Sequence, residues 1–231
     1  MAARTVAALC LALCGVAPAL AAGTFVWDQS DVVVPSGVTT LITNAVADDF
    51  TVPGSLPSWQ LQFADVWLQD NMELPLDGMV TNFVGTVGWA IYADAAGAPG
   101  ALAASGSDGA AFLLGAAVPA CCWDTQRVRF RFQPPVTVTP GTYWLAIREG
   151  AWGIPAGFDE HYASRASSVR GSAAVVAPLP AVPTAFSFVG SGDLAFAVYG
   201  AAPAVSLVFA SDFEAGGTCA WSETVGGNSC E

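Results

Sequence analysis

Along this chain apolar side chains recur at every second position in many short runs, and almost never at the three-to-four spacing of a helix. The clearest run is Arg127-Val128-Arg129-Phe130-Arg131-Phe132. Strict alternation places Val128, Phe130 and Phe132 on one face of an extended strand and three arginines on the other. Similar runs predict strands over 25–28, 39–43, 49–52, 59–68, 84–93, 143–148, 186–189, 194–199 and 205–209. Pro53-Gly54, Asp77-Gly78, Pro99-Gly100, Pro134-Pro135, Pro140-Gly141 and Gly190-Ser191-Gly192 stand between them as turn signals. The stretch 95–104 is rich in alanine, yet Gly97, Pro99 and Gly100 predict a loop there and not a helix. Short strands without helical crossovers imply antiparallel pairing. The expected fold is therefore all-β, an antiparallel, jelly-roll-like β-sandwich with a short disulfide-stapled C-terminal tail.

The first 21 residues are set apart from that fold. Arg4 precedes an apolar run over 6–16, and Ala19-Leu20-Ala21 supplies the small-x-small pattern that signal peptidase cleaves, so 1–21 reads as a signal peptide. Gly15 and Pro18 interrupt the run before it reaches the ~20 apolar residues that cross a bilayer. Leu9 and Leu13 stand where a lipoprotein site at Cys10 or Cys14 would need a small residue. The mature chain is expected to be secreted or periplasmic, without a transmembrane anchor. The sandwich is expected over 23–200, followed by a linker and polar C-terminal tail over 201–231.

With 231 residues, 54% of them hydrophobic and 11% charged, the chain can bury one substantial core. The formal charge of −12 argues against a nucleic-acid partner, because neutralising phosphates needs a cationic face. There is no lysine, and three of the six arginines beyond the signal segment are Arg127, Arg129 and Arg131. Their expected role is pairing with acids across the sheet, with an anionic-ligand stripe as the alternative.

In an oxidising compartment the remaining cysteines, Cys121, Cys122, Cys219 and Cys230, are available for disulfides. Cys219 and Cys230 bracket a short segment and are expected to pair, which the chain-entropy model values at roughly 3 kcal/mol. Cys121 and Cys122 then pair with each other or remain thiols. Zinc is not expected, since His161 is the only histidine and no Cys-x-x-Cys occurs.

Four segments together carry a family likeness: Ala47-Asp48-Asp49-Phe50-Thr51-Val52-Pro53, Ile91-Tyr92-Ala93-Asp94 with Pro99-Gly100, Gly141-Thr142-Tyr143-Trp144-Leu145-Ala146-Ile147, and Gly192-Asp193-Leu194-Ala195-Phe196. The series resembles β-sandwich domains of secreted bacterial proteins of the choice-of-anchor kind. Val208-Phe209-Ala210-Ser211-Asp212-Phe213-Glu214-Ala215-Gly216 with Trp221-Ser222 is similar to a carboxy-terminal segment of many secreted bacterial proteins. The resemblance implies a secreted sandwich and supplies no catalytic residue. The chain lacks the Pro-Glu-Pro signal, terminal apolar helix and basic end of the anchored members.

Gly-x-Ser-x-Gly, His-Glu-x-x-His, Walker and dinucleotide motifs are all missing from the sequence, so no catalytic residue is assigned. The segment 149–162 is Gly-rich and carries Glu149, Trp152, Phe158, Asp159, Glu160, His161 and Tyr162. Aromatic faces stack on sugars and carboxylates accept sugar hydroxyls, which makes Trp152, Asp159, His161 and Tyr162 candidate glycan-binding residues. The contrary reading folds Trp152 and Phe158 back as a plug for the end of the sandwich. Trp89 and Trp144 sit in strands and are expected to be packed, with partial exposure left open for Trp144 because it shares a strand face with Arg148. Asp28, Asp31, Asp48 and Asp49 are the candidate ligands of a structural calcium, and no other cofactor is expected.

The function these features indicate is a secreted, non-catalytic binding module whose partner is a carbohydrate or cell-envelope component. One alternative is a carbohydrate hydrolase using paired carboxylates from among Asp48, Asp49, Asp65, Asp70, Glu73, Asp159 and Glu160. Another is a purely structural surface protein.

Overall fold

The computed structural model describes residues 24–70, 79–120, 123–154, 161–178, 181–188 and 192–203. They form an all-β fold of thirteen strands: β1 (Thr24–Gln29), β2 (Val32–Thr40), β3 (Asn44–Val52), β4 (Trp59–Gln69), β5 (Val87–Asp94), β6 (Pro99–Asp108), β7 (Phe112–Ala120), β8 (Trp123–Val138), β9 (Gly141–Glu149), β10 (Tyr162–Ala166), β11 (Val175–Pro178), β12 (Ser187–Phe188) and β13 (Phe196–Ala201). Two sheets result, and every strand pair is antiparallel. The six-stranded sheet runs β12-β11-β3-β9-β5-β6. In the seven-stranded sheet β4 is central, with β8 and then β7 on one side and β13 followed by β1 on the other; β10 and β2 continue the latter side beyond the end of β13. Among the described residues no helix is long and apolar enough to cross a membrane.

The core lies between the sheets and follows the alternation of the sequence. Val46, Phe50, Trp89, Ile91, Leu145 and Ile147 face inward from the six-stranded sheet, against Leu61, Val66, Val128, Phe130, Phe132 and Phe196 from the other. Trp89 meets Phe132 edge-on at 5.0 Å, and Phe50 meets Phe196 edge-on at 6.5 Å. Such packing fills the roughly 10 Å between stacked sheets.

The outward positions of the two sheets are treated differently. On the six-stranded sheet they include Ala47, Ala90 and Ala146 with Tyr92 and Trp144, all buried beneath Trp152, Val182 and Phe186. Small side chains leave room for a third layer. Tyr92 ties that layer down, its hydroxyl donating to the Pro183 carbonyl at 2.7 Å, while Trp152 Nε1 donates to the Trp89 carbonyl at 3.0 Å. Trp144 is therefore buried, as expected of a strand tryptophan, and its place beside Arg148 does not expose it.

The stretch 95–104 divides between two structures. Residues 95–98 form the predicted turn, with Ala96 and Gly97 at positive φ, but 99–104 belong to β6, which pairs with β5. Its run carries no apolar alternation, and at Gly106 a small residue is required: a Cβ there would lie 2.6 Å from Trp89 Cζ2. β7, β10 and β11 also lie outside the predicted strands, whereas the strand predicted at 205–209 lies outside the described residues.

Gly106→Ala is expected to destabilise the fold by about 1–3 kcal/mol through overpacking against Trp89. Gly54→Ala, whose added methyl meets nothing within 4 Å, serves as the control. Urea denaturation of both variants measures the difference, and equal midpoints would contradict the packing described.

Candidate functional site

The outer face of the seven-stranded sheet has no covering layer among the described residues, and register determines what it presents. Phe25 on β1 lies opposite Tyr199 on β13, Tyr199 opposite Phe63 on β4, and Phe63 opposite Arg131 on β8. One step along the strands, Asp65 lies opposite Arg129, and Arg129 opposite Phe112 on β7; a further step brings Trp67, Arg127 and Leu114 into line. Directly opposed residues share a face, so these three rows form one surface across five strands, about 19 Å at the usual strand spacing.

The rings stand side by side. Phe25 and Tyr199 have centroids 4.6 Å apart, Phe63 and Tyr199 4.4 Å, and the Arg129 guanidinium caps Phe63 at 4.2 Å. Arg127 lies 5.9 Å over Trp67. Guanidinium on an aromatic face is a cation–π contact, which also holds the long side chain upright.

Beneath the arginines sit their counter-charges. Arg129 Nε and Nη2 donate to the two Asp65 carboxylate oxygens at 2.7 and 2.9 Å, Tyr199 donates its hydroxyl to Oδ2 at 3.0 Å, and Arg127 Nη1 is 3.7 Å away. Arg131 closes a similar fork on Asp108, donating from Nε at 3.2 Å and Nη2 at 3.1 Å. Asp65 is fully buried and Asp108 nearly so, whereas Arg127 and Arg131 keep 40% and 46% of their side chains exposed. The solvent therefore meets guanidinium and aromatic edges on this face, not carboxylate. Burial pushes the Tyr199 phenol up to about 12, with the Asp65 charge adding to it, so it remains a donor. The Asp108 carboxyl lies below its ordinary value because the bonds from Arg131 and two backbone amides outweigh burial.

The predicted loop site assembles differently. His161 is fully buried, Nδ1 lying 2.5 Å from Glu149 Oε2 and Nε2 lying 2.8 Å from the Thr81 carbonyl and 3.5 Å from Asp70 Oδ1. Asp70 accepts from the Thr81 amide and hydroxyl at 2.8 and 3.0 Å, and Glu149 from the Val84 amide at 3.1 Å. Burial alone would lower the His161 pKa, but the Glu149 bond and the two carboxylate charges together raise it. The ring is thus a cationic clamp joining the ends of β4 and β9 to the segment 80–86. Trp152 lies in the layer over the six-stranded sheet, and Tyr162 packs edge-on against Trp123 at 5.6 Å within β10. Asp159 lies outside the described residues. Trp152, His161 and Tyr162 do not meet in one open pocket, and the end-plug reading of Trp152 is closer to its actual place.

The four candidate calcium ligands are dispersed. Asp28 accepts from the Ser30 amide and Asp31 from the Ser167 hydroxyl. Asp48 points into the inter-sheet core, where it accepts from the Asp49 and Leu194 amides at 2.9 and 2.6 Å, while Asp49 points to the opposite side of β3 and accepts from the Ser172 amide at 2.7 Å. Among the described residues no group of three or more His, Cys, Asp or Glu is arranged to hold a metal ion. Burial pushes the Asp48 carboxyl up to about 9, with the Asp193 and Asp49 charges adding to it. Of the carboxylates proposed for hydrolysis, Asp48, Asp49, Asp65 and Asp70 are all buried, and Glu73, Asp159 and Glu160 lie outside the described residues. Cys121, Cys122, Cys219 and Cys230 also lie outside them.

Phe25, Phe63, Trp67 and Tyr199 join the arginine comb without having been singled out in the sequence. The alternation Phe63-Ala64-Asp65-Val66-Trp67 carried that information, since it places Phe63, Asp65 and Trp67 on one face; only the pairing of β4 with β8 shows which strand that face adjoins. No family model matches the chain, and no curated protein or solved structure matches it either.

Two outcomes follow from these buried charges. Asp65→Ala removes the acceptor of Arg129 and Tyr199 and is expected to cost about 3 kcal/mol in urea denaturation; a loss below about 0.5 kcal/mol, the range of exposed pairs, would show that Asp65 is not the buried hub. The second concerns pH. Asp48 and His161 both bind protons more tightly folded than unfolded, so their contribution is fully present below the unfolded pKa values and is lost as pH rises, through about 9 for Asp48 and above its ordinary 6.5 for His161. Asp49 and Asp193 shift the same way. The melting temperature should be higher at pH 5 than at pH 8 by at least about 4 °C, the shift that 1–2 kcal/mol gives a chain of this size. A higher value at pH 8 would contradict the protonation states described.

Proposed function

We propose that this protein is a secreted or periplasmic, non-catalytic binding module that engages a carbohydrate or cell-envelope component through the outer face of its seven-stranded sheet. The supporting observation is the contrast between the two sheets. One has its outer face buried beneath a layer of its own chain, while the other presents aromatic rings and guanidiniums over a width of five strands. Phe25 and Phe112, 52% and 47% exposed, mark its two sides. Ring edges and faces pack on the CH surfaces of sugars, and guanidinium donors reach hydroxyl and carboxylate oxygens.

The proposal includes removal of 1–21 as a signal peptide, the kinship with choice-of-anchor sandwich proteins and a tail stapled by Cys219–Cys230, with Cys121 and Cys122 paired to each other or left as thiols. All of them agree with an exported chain that is rich in β-structure and has no lysine. The hydrolase alternative needs two carboxyl groups facing one open cleft, whereas Asp48, Asp49 and Asp70 are buried and held by backbone amides and Asp65 is buried under Arg129 and Tyr199.

A glycan array paired with a product assay tests the reading. Retention of the chain on one or more glycans without release of reducing ends is expected. Product formation that disappears on substitution of a single Asp or Glu would overturn it in favour of a hydrolase, and no retention on any glycan would favour a structural surface protein.

A further inference from the structure

We infer that the ligand of this face is an acidic polysaccharide whose carboxylates are bound by Arg127 and Arg131. The inference rests on the binding-module reading above and adds the ligand's charge and the two residues that select it.

The charge arrangement carries the inference. On a chain of net charge −12, this face gathers three guanidiniums over two carboxylates, and the carboxylates lie underneath. Asp65 is spent on Arg129 and Tyr199, which fill its oxygens at 2.7–3.0 Å, and Arg127 approaches no closer than 3.7 Å. Arg127 therefore keeps donors for an incoming anion while its guanidinium is held over Trp67. Arg131 uses Nε and Nη2 on Asp108, and its Nε and Nη1 also donate to the Gln133 amide oxygen at 3.1 and 3.2 Å; with nearly half of its side chain in solvent, one N–H on each Nη remains for an incoming anion. The two residues are four positions apart on one strand, so their Cα atoms are separated by about 13 Å. A single small anion does not span that distance. A polymer with repeated carboxylates does, and Phe112, level with Arg129 between the two arginines and 47% exposed, offers apolar contact to the sugar rings.

Guanidinium recognises carboxylate through paired, planar hydrogen bonds, and an exposed site of this kind is screened by salt. Both properties are measurable. In affinity electrophoresis of the purified chain, polygalacturonate in the gel should retard migration and neutral dextran should not, with the retardation falling as salt rises from 50 to 500 mM, a range over which the screening length shortens to about 4 Å. Arg127→Gln combined with Arg131→Gln should weaken retardation at least about tenfold, the loss of one or more charge-assisted contacts. Arg170→Gln, which removes a charge elsewhere, should leave it unchanged. Circular dichroism of each variant establishes that the sheets persist, and both targets are exposed enough to be replaced without opening the core.

Retention by neutral glycans alone, unaffected by the arginine substitutions, would overturn the acidic-ligand inference and leave the binding-module reading intact. Retention by no glycan of either kind would overturn both. Binding to anionic phospholipid vesicles in preference to polygalacturonate would also overturn the inference and assign the face to a lipid surface.

Discussion

The constraint on which this structure depends is that, among the described residues, the six-stranded sheet is covered on both faces while the seven-stranded sheet is covered on one. The cause is side-chain size. Ala47, Ala90 and Ala146 leave a shallow floor into which Trp152, Val182 and Phe186 settle, and the hydroxyl of Tyr92 and the indole of Trp152 fasten that layer to backbone carbonyls. Burying the large rings Trp144 and Tyr92 this way is worth about 2–3 kcal/mol each, more than two exposed aromatics on a sheet could recover. The chain that covers one sheet is not available to cover the other. Among the described residues the outer face of the seven-stranded sheet is the part of the β-scaffold left open, and the proposed binding surface lies there.

The buried polar groups fall into two kinds that do different work. Asp65 and Asp108 hold arginines in fixed poses at the surface, so that the comb is a pre-ordered array and not a set of free side chains. Asp70, Glu149 and His161 form an internal clamp, a cation between two anions, whose contacts join the ends of β4 and β9 to the segment 80–86. Asp48 is a third case, a carboxyl kept neutral by burial and by neighbouring acids while two backbone amides occupy its oxygens. The carboxylates that a sequence reading would offer for catalysis are, where described, consumed by architecture.

Much of the β-sandwich was legible from side-chain alternation. The arginine comb showed its strand, its inward face and its expected pairing with acids across the sheet, and Arg129 with Asp65 realises that pairing on adjacent strands. β6 was not legible, because it is an edge strand of small, mostly exposed residues that carry no hydrophobic period, with Gly106 kept small by Trp89. The burial of His161 was equally hidden. A histidine flanked by Asp159 and Glu160 reads as a polar loop, and the partners that bury it are Glu149, Thr81 and Asp70, the last two eighty or more positions away in the sequence. The candidate face lay between these extremes: each strand displayed its alternation, but only register unites Phe25, Tyr199, Phe63 and Arg131 in one row.

Arginine accessibility tests the asymmetry between the two sheets most directly. Brief treatment of the folded chain with a dicarbonyl reagent selective for guanidinium, followed by peptide mass spectrometry, should modify Arg127 and Arg131 readily and spare Arg148, which is 1% exposed beneath the covering layer. Modification of Arg148 as fast as Arg131 would mean that the six-stranded sheet is open on its outer face and that the contrast on which the proposed binding surface rests does not exist.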